Sequence, residues 1–358
     1  MNSVNPGVPL ALPVLLWIPQ TPRTALAKPV VHNPGELMNS QNLPESHQLT
    51  EPIAFLNGQL VPFSQAAVPV TDLGVVAGAS VTEMIRTFGH VPFRLPDHID
   101  RLFGSLSLCG FSTDVSRKRL EDTVSQIVEH NAPLIPATHD LGIIVFVSAG
   151  QNLTYLGDAS RAAASQGTVC VHSFPLPFEL WAEKQTAGQH LASVDVLPLP
   201  NESVPPQAKH RNRLHWFRAD LEARSRFPAA SSLLATPAGL ITETAAGNFY
   251  IAKGRTILTP SSDLVLGGIS QMVLREIATK LGFTWKESAI RFNDLLKADE
   301  AMTSTTTCCL LPVTQFNDQT IGGGQPGPVF QELITAWSGL VGVDIVRQAA
   351  QAAQERCG

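Results

Sequence analysis

A lysine stands among arginines just before a predicted helix. The segment at residues 208–213 reads AKHRNR and carries Lys209, Arg211 and Arg213. Nearby positive charge disfavours the ammonium form of a lysine, so the pKa of Lys209 is expected to fall toward that of a nucleophilic amine. Lysines in basic runs are more often solvated surface residues, and the charge context alone therefore assigns no role to Lys209.

Other polar residues stand beside glycines or near the ends of predicted strands. Glu243 lies near the end of a predicted buried strand, where a carboxylate needs a positive partner unless it reaches solvent. The segment GGIS at residues 267–270 opens a predicted helix, whose free N–H groups favour a phosphate, with an ordinary N-cap as the alternative. The hydroxyl run STTT at residues 304–307 is equally typical of strand and turn chemistry, and Arg101 could be a surface residue of an amphipathic helix.

The elements that must position these residues are short strands mixed with helices. Hairpins are predicted where Asn57 and Gly58 or Gly89 and His90 separate two apolar runs, since these pairs suit tight turns. The predicted strands cover residues 53–56, 59–63, 82–88, 91–95, 141–148, 168–174, 191–197, 232–236, 240–244, 248–252, 256–259, 301–305 and 309–312. The predicted helices cover residues 99–109, 115–131, 214–222, 268–281 and 329–338. This pattern predicts a mixed α/β (α+β) fold with mixed sheets, unlike a doubly wound parallel fold.

Two α/β domains are expected from the length and from a proline-containing junction. The predicted divisions are a disordered leader at 1–50, an N-terminal domain at 51–174, a junction at 175–188, a C-terminal domain at 189–347 and a frayed tail at 348–358. The helix at 214–222 is expected to bury a stripe formed by Leu214, Phe217 and Leu221.

Composition excludes several classes of function. The chain has 358 residues and a net charge of −5, with no basic stripe, so nucleic acid is not an expected partner. Five cysteines without a C-x-x-C pair argue against a disulfide framework and a structural metal, and favour thiols in the reducing cytoplasm. P-loop and G-x-S-x-G motifs are missing from the sequence, and no G-x-G-x-x-G motif directly follows a predicted strand.

The apolar run Val8–Pro19 raises the alternative of an exported protein. Ala25 and Ala27 have the spacing of a signal-peptide cleavage site. Against export, no lysine or arginine precedes the run, three prolines interrupt it, and it is too short to span a membrane. An unstructured leader, with Met38 as the true start, is the other interpretation.

In chain order, these segments resemble the fold-type IV pyridoxal phosphate (PLP) enzymes. This is the class IV aminotransferase family of branched-chain and D-amino acid aminotransferases and aminodeoxychorismate lyase. The likeness covers residues 53–345. It rests on VPVTDLG at 68–74, EMIRTFG at 83–89, FRL at 93–95, HIDRL at 98–102, TE at 242–243, GNF at 247–249, GIS at 268–270, ADE at 298–300 and PV at 312–313.

The resemblance implies a homodimer, a PLP cleft between two domains, and a role for each matching residue. Lys209 would form a Schiff base with PLP and carry protons, Glu243 would face the pyridine nitrogen, and Arg101 would bind the phosphate. The phosphate site would also include the amides of Ile269 and Ser270 with Thr305 and Thr306. Leu266 would pack under the ring, and Asn248 would line the cofactor side. The implied reaction moves an amino group between an amino acid, with a branched-chain type favoured, and a 2-keto acid.

Two departures leave the substrate open. Ala149 stands where the family often has an arginine that holds the substrate carboxylate, and Arg86, Arg211 or Arg213 could replace it. The loop at residues 75–79 also lacks the family's usual aromatic or acidic residue.

Two rival functions follow from these departures. The run KHRNRL at 209–214 resembles the lysine segment of aminodeoxychorismate lyases, which eliminate pyruvate, although the STTT strand favours a transaminase. A family member that binds PLP without catalysis is the second rival.

Overall fold

The computed structural model describes residues 51–157 and 167–357, and side-chain burial up to residue 355. The predictions for the leader at 1–50 lie outside the described residues. Within these ranges, the chain forms two sheets with helices packed against them.

The first sheet has six strands in the order β2-β1-β6-β5-β3-β4, with antiparallel neighbours throughout. Its strands are β1 (Ile53–Leu56), β2 (Gln59–Pro62), β3 (Ser80–Phe88), β4 (Val91–Pro92), β5 (Leu141–Ser148) and β6 (Val169–Pro175). Asn57 and Gly58 form the first hairpin turn, with φ of 48° and 95°, as that residue pair predicts.

Helices α2 (Leu95–Cys109) and α3 (Arg117–Asn131) cover one face of the first sheet. The short helices α1 (Leu73–Val76) and α4 (Leu153–Leu156) bury no residue. The buried faces of α2 and α3 pack on strands β1, β3, β5 and β6 to form one core. Ser116 caps α3, because its hydroxyl accepts a hydrogen bond from Arg119 N at 3.2 Å.

The second sheet is mixed, in the order β12-β11-β10-β13-β14-β7-β8-β9, with β15 beside β14. Its strands are β7 (Gln189–Ser193), β8 (Ser231–Ala235), β9 (Ile241–Thr244), β10 (Asn248–Lys253), β11 (Thr256–Thr259), β12 (Thr284–Glu287), β13 (Glu300–Thr305), β14 (Cys309–Phe316) and β15 (Gln319–Thr320). The pairs β11–β12, β14–β7 and β7–β8 are parallel. The predicted mixed α/β fold class is therefore confirmed.

The later helices are α5 (Ala182–Ala187), α6 (Leu214–Arg226), α7 (Ile269–Lys280), α8 (Phe292–Leu296), α9 (Pro328–Val341) and α10 (Ile345–Cys357). The strands of the first sheet end at Pro175 and those of the second begin at Gln189, on either side of the predicted junction. The described residues nevertheless belong to a single compact unit by their contacts, and the domain boundaries remain a prediction.

Two helical predictions are wrong. The tail after Gln348 continues α10, because Ile345, Ala349 and Ala352 form one buried face. On α6, the predicted buried stripe is at the surface, because Leu214 and Phe217 are 66% and 61% exposed. The residues of α6 that face inward are Trp216, Ala219 and Ala223.

Among the described residues, no single helix has the length and apolar character needed to cross a membrane. The pair Pro328–Val341 and Ile345–Glu355 meets that test only jointly, with an 81° bend between the two helices.

Candidate active site

Backbone hydrogen bonds hold Lys209 against the first sheet and α2. Its amide donates to Ser105 Oγ at 3.0 Å, and its carbonyl accepts from Thr82 N at 2.8 Å. Arg211 N donates to Ser80 O at 2.8 Å, and His210 forms an isolated antiparallel bridge with Val81. The segment thus extends the edge of β3, although it precedes α6 in the chain.

The side chain of Lys209 lies where its positive charge is disfavoured. Burial lowers its pKa to about 8, and the positive charges of Arg101 and Arg213 act in the same direction. The negative charges of Glu83 and Glu243 oppose this shift. The pKa of Lys209 is therefore lowered as expected but for a different main reason: burial acts most, Arg101 acts more strongly than Arg213, and Arg211 is not among the causes.

Glu243 lies on β9, opposite Asn248 of β10. Burial raises the pKa of its carboxyl group to about 7, although the Leu266 amide and the charges of Lys209, Arg213 and Arg101 lower it. The Leu266 amide lies 3.4 Å from Glu243 Oε2. A carboxyl group with this pKa can share a proton with a base of similar strength, such as a pyridine nitrogen.

The turn before α7 is held by Asn248. Its Nδ2 donates to Leu266 O at 2.7 Å, and a Cβ atom on Gly268 would lie 2.0 Å from its Oδ1. Gly268 is the N-cap of α7 and offers no side chain to the first N–H groups of the helix. These amides, at Ile269 and Ser270, are available to an anion, as the GGIS segment predicts.

Arg101 is held by a buried acid that sequence reasoning did not assign to the site. Its Nε and Nη2 donate to Glu83 Oε1 and Oε2 at 2.8 and 2.7 Å, and its Nη1 donates to Gly267 O at 3.0 Å. Three of its five N–H donors are used, which leaves one on each terminal nitrogen. His98 Nδ1 lies 2.8 Å from Glu83 Oε2 and completes the group.

The pKa of Glu83 reflects these contacts. Its full burial alone would raise the pKa, but the charge of Arg101 and the hydrogen bonds from Arg101 and His98 lower it to about 2. The sequence signal was present: His98 and Arg101 share one face of α2 at i, i+3 spacing, next to an acid on a buried strand.

A cavity of about 340 Å³ brings the predicted cofactor residues together. They all line its wall: Arg101, Lys209, Glu243, Asn248, Leu266, Ile269, Ser270, Thr305 and Thr306. The wall also includes Thr82, Met84 and Ile144 from β3 and β5, and Trp216 from α6. This volume lies at the low end of the range of roughly 300 to 1,000 Å³ that is common for ligand pockets.

The three candidate substrate arginines are not equivalent. Arg211 and Arg213 line the cavity. Arg86 does not line it: the residue is 1% exposed, and its Nη1 donates to Thr307 O at 2.7 Å. Its Nη2 lies 3.7 Å from Asp140 Oδ2 and 3.3 Å from Gln348 Oε1. A substrate contact by Arg86 would require breaking this buried network.

The lining residues fit pyridoxal phosphate. Lys209 offers an amine with a lowered pKa for the aldehyde, and Glu243 offers a carboxyl group for the ring nitrogen. The N-terminus of α7 and the free N–H donors of Arg101 offer a site for the phosphate.

Comparison with known proteins gives a family for this arrangement. The family profile described as amino-transferase class IV matches residues 80–316, which is more than half of the chain. The chain is a class IV aminotransferase. Enzymes of this family use PLP, so the predicted enzyme class and cofactor are confirmed, while the role of each site residue remains a prediction.

Relatives of this class IV aminotransferase include enzymes with different substrates in their names. It is 27% identical over 292 residues to D-alanine aminotransferase of Bacillus licheniformis, covering 78% of this chain and 94% of that protein. It is 26% identical over 298 residues to branched-chain-amino-acid aminotransferase-like protein 1 of Arabidopsis thaliana, covering 83% of this chain and about half (52%) of that protein. The fold is similar to that of the branched-chain amino acid aminotransferase of Escherichia coli, with a TM-score of 0.73, 23% identity, and coverage of 81% and 95%.

Proposed function

We propose that this class IV aminotransferase transfers the amino group of an amino acid with an uncharged, branched-chain-like side chain to a 2-keto acid. The observation that carries this proposal is the cavity that brings together Lys209, Glu243 and Arg101 with the N-terminus of α7. When bound, the cofactor accepts into its ring the electron pair released from the substrate Cα.

Each residue then has a defined task. Lys209 would hold the cofactor through its Nζ, and the same atom, once displaced by the substrate amine, would accept the Cα proton of the substrate and return a proton to carbon. Its lowered pKa supports this task, because a neutral amine is needed as the base. Glu243 would share a proton with the ring nitrogen of the cofactor, and Arg101 with the α7 amides would orient its phosphate.

The remaining wall of the cavity supports the choice of substrate class. Met84 and Ile144 present apolar side chains from neighbouring strands, and Thr82 lies beside them. An apolar wall favours an uncharged side chain, because a charged group would lose hydration there without gaining a partner. The names of the relatives include both D-alanine and branched-chain amino acids, so both enantiomers belong in the test.

The test is transamination by the purified protein loaded with PLP. L-Leucine, L-valine, D-alanine and L-aspartate are supplied as donors with a keto acid acceptor, and the new amino acid is measured by chromatography. We expect turnover with an apolar donor and none with Lys209→Ala, which should also lose the visible absorbance of the lysine-bound cofactor. Turnover only with the charged donor would contradict the substrate class.

A lyase of the aminodeoxychorismate type is the second candidate, favoured by the KHRNRL run at residues 209–214. It would release pyruvate from aminodeoxychorismate without any amino acceptor. Cofactor absorbance without turnover in either assay would indicate a family member that binds PLP only.

We also propose a homodimer in the cytoplasm. The exposed apolar stripe of Leu214, Phe217 and Leu221 on α6 supports a partner surface, since isolated large apolar patches are uncommon on monomers. Sedimentation analysis tests the assembly. Free thiols at Cys109, Cys170, Cys308 and Cys309 support a reducing compartment, which cell fractionation tests.

A further inference from the structure

The substrate carboxylate needs a cation, and two of the three candidate arginines are already engaged. Arg86 is buried in its network with Thr307, Asp140 and Gln348, outside the cavity. Its guanidinium also lies over the Phe88 ring, with the Cζ atom 3.9 Å from the ring centroid. These contacts fix the position of Arg86 and give its guanidinium an ion-pair partner.

Arg213 lines the cavity but has partners there. Its Nη2 donates to Ala245 O, and its Cζ lies 5.7 Å from the centroid of a Trp216 ring. The negative charges of Glu243 and Asp220 also act on it. The charge of Arg213 is therefore paired mainly with that of Glu243, the residue proposed to face the ring nitrogen.

Arg211 is different, because its backbone is fixed while its charge is not balanced. Its amide donates to Ser80 O at 2.8 Å, and its guanidinium lies over the Phe146 ring at 5.3 Å. Within residues 51–157 and 167–357, its side chain has no hydrogen bond or ion pair. Stacking engages the face of a guanidinium and leaves its N–H edge free for a ligand.

The contact with Phe146 places Arg211 beside the strand after which the family often has its substrate-binding arginine. Phe146 lies on β5, and Ala149, just beyond the end of that strand, occupies the place where an arginine was expected. Arg211 comes from another segment, yet it places a cation against the same strand. Met84 and Ile144, on β3 and β5, line the same cavity.

We infer that Arg211 binds the carboxylate of the amino acid and keto acid substrates and replaces the arginine missing after β5. This inference rests on the proposed function and names the specificity residue of that site. The carboxylate lies at Arg211, the amino group at Lys209, and the side chain against Met84 and Ile144. The planar fork of Arg211 pairs with both carboxylate oxygens.

The test separates carboxylate binding from catalysis. The holoenzyme is titrated with 4-methylvaleric acid, which has a carboxylate but no amino group, by calorimetry at constant ionic strength. 4-Methylvaleramide is the uncharged matched ligand. The variants are Arg211→Gln, Arg211→Lys, Arg213→Gln and, as a control, Arg347→Gln, an exposed residue of α10 outside the cavity.

Loss of a charge-assisted pair should weaken acid binding by about ten- to a hundredfold in Arg211→Gln, with partial recovery in Arg211→Lys. Binding of the amide should not change, and Arg347→Gln should match the wild type. In turnover, KM for the amino acid should rise more than kcat falls, because the contact is present before and during the reaction.

Two results would overturn the inference: unchanged acid affinity in Arg211→Gln, or a comparable loss for the acid and the amide. A loss in Arg213→Gln with none in Arg211→Gln would assign the carboxylate to Arg213 instead. Failure of the proposed function would give a different result from failure of this inference. The wild-type holoenzyme would then bind the acid through Arg211 but form no new amino acid.

Discussion

Arg101 binds Glu83 side-on, with Nε 2.8 Å from Oε1 and Nη2 2.7 Å from Oε2. This pair fixes the guanidinium, so Glu83 would act on the proposed phosphate site through Arg101. We expect Glu83→Gln to raise the dissociation constant of PLP about tenfold, the effect of one lost charge-assisted hydrogen bond. Fluorescence titration of the apoenzyme measures it.

Asp97→Asn is the matched control for that change. Asp97 lies on α2, the helix that carries Arg101, and forms a partly exposed ion pair with Arg94 at 3.4 Å. An exposed pair of this kind contributes about 0 to 1 kcal/mol to the free energy of unfolding. Equal PLP affinities in both variants and the wild type would remove Glu83 from the phosphate site.

Two adjacent glycines make a sharp comparison at the start of α7. A Cβ atom on Gly268 would lie 2.0 Å from Asn248 Oδ1, whereas nothing lies within 4 Å of a Cβ atom on Gly267. Gly268→Ala should therefore displace Asn248 and weaken PLP binding roughly tenfold or more. Gly267→Ala should bind PLP like the wild type. Similar affinities for the two variants, measured by absorbance titration, would contradict the role of this turn.

The lowered pKa of Lys209 has a consequence for the stability of the apoenzyme. A lysine with a pKa near 8 in the folded state and 10.5 when unfolded holds fewer protons when folded. Stability should then increase as pH rises from about 8 to 10.5, and be lowest, as far as this group is concerned, below pH 8.

Lys209→Met removes this penalty and should stabilise the apoenzyme at pH 7 by about 1 to 3 kcal/mol, while abolishing turnover. Urea unfolding at pH 7 and 10 measures the difference, which should shrink at the higher pH. Lys118→Met, at an exposed site, is the control. A gain of the same size at both pH values would indicate packing and not charge.

Arg86 should matter for stability and not for substrate recognition. Arg86→Met leaves Asp140 buried without its ion-pair partner, and breaking such a pair costs about 3 to 5 kcal/mol. Chemical denaturation should show this loss. KM per folded holoenzyme should stay near the wild-type value, and a selective rise in KM would return Arg86 to the list of substrate residues.

The apolar stripe of α6 gives a test of assembly. Replacing Leu214 and Phe217 by serine should shift the protein toward monomers in sedimentation velocity, because the change removes exposed apolar surface without opening a core. Leu340→Ser, at a 48% exposed position on α9, is the control. An unchanged sedimentation coefficient would place the partner surface elsewhere.

Local patterns predicted most of the fold. The strand Leu141–Ser148 and the helix after Gly268 were expected almost as they occur, because a β-branched run and a glycine-bounded helix start are local signals. Local patterns do not say what covers an apolar face, so the stripe of Leu214 and Phe217 was assigned to the core. In α10, the buried face consists mainly of alanines, which give a weak hydrophobic signal.

The site residues that belong to short local motifs could be predicted from the sequence. Lys209, Glu243 and the GGIS segment meet in one cavity, as the resemblance implied. Partners that meet only in three dimensions were missed. Asp140 is distant from Arg86 in the chain, and nothing local in either segment indicates their pairing. For the same reason, sequence alone could not rank the three arginines.

The backbone of Lys209 is hydrogen-bonded to β3 and α2, whereas Glu243 belongs to a strand of the second sheet. The two halves of the cofactor site are therefore joined by tertiary packing and not by a shared strand. During refolding, native absorbance of the bound cofactor can return only after both sheets have assembled on each other. The absorbance of the bound cofactor is therefore expected to report the packing of the two sheets, which signals from helices or strands alone do not detect.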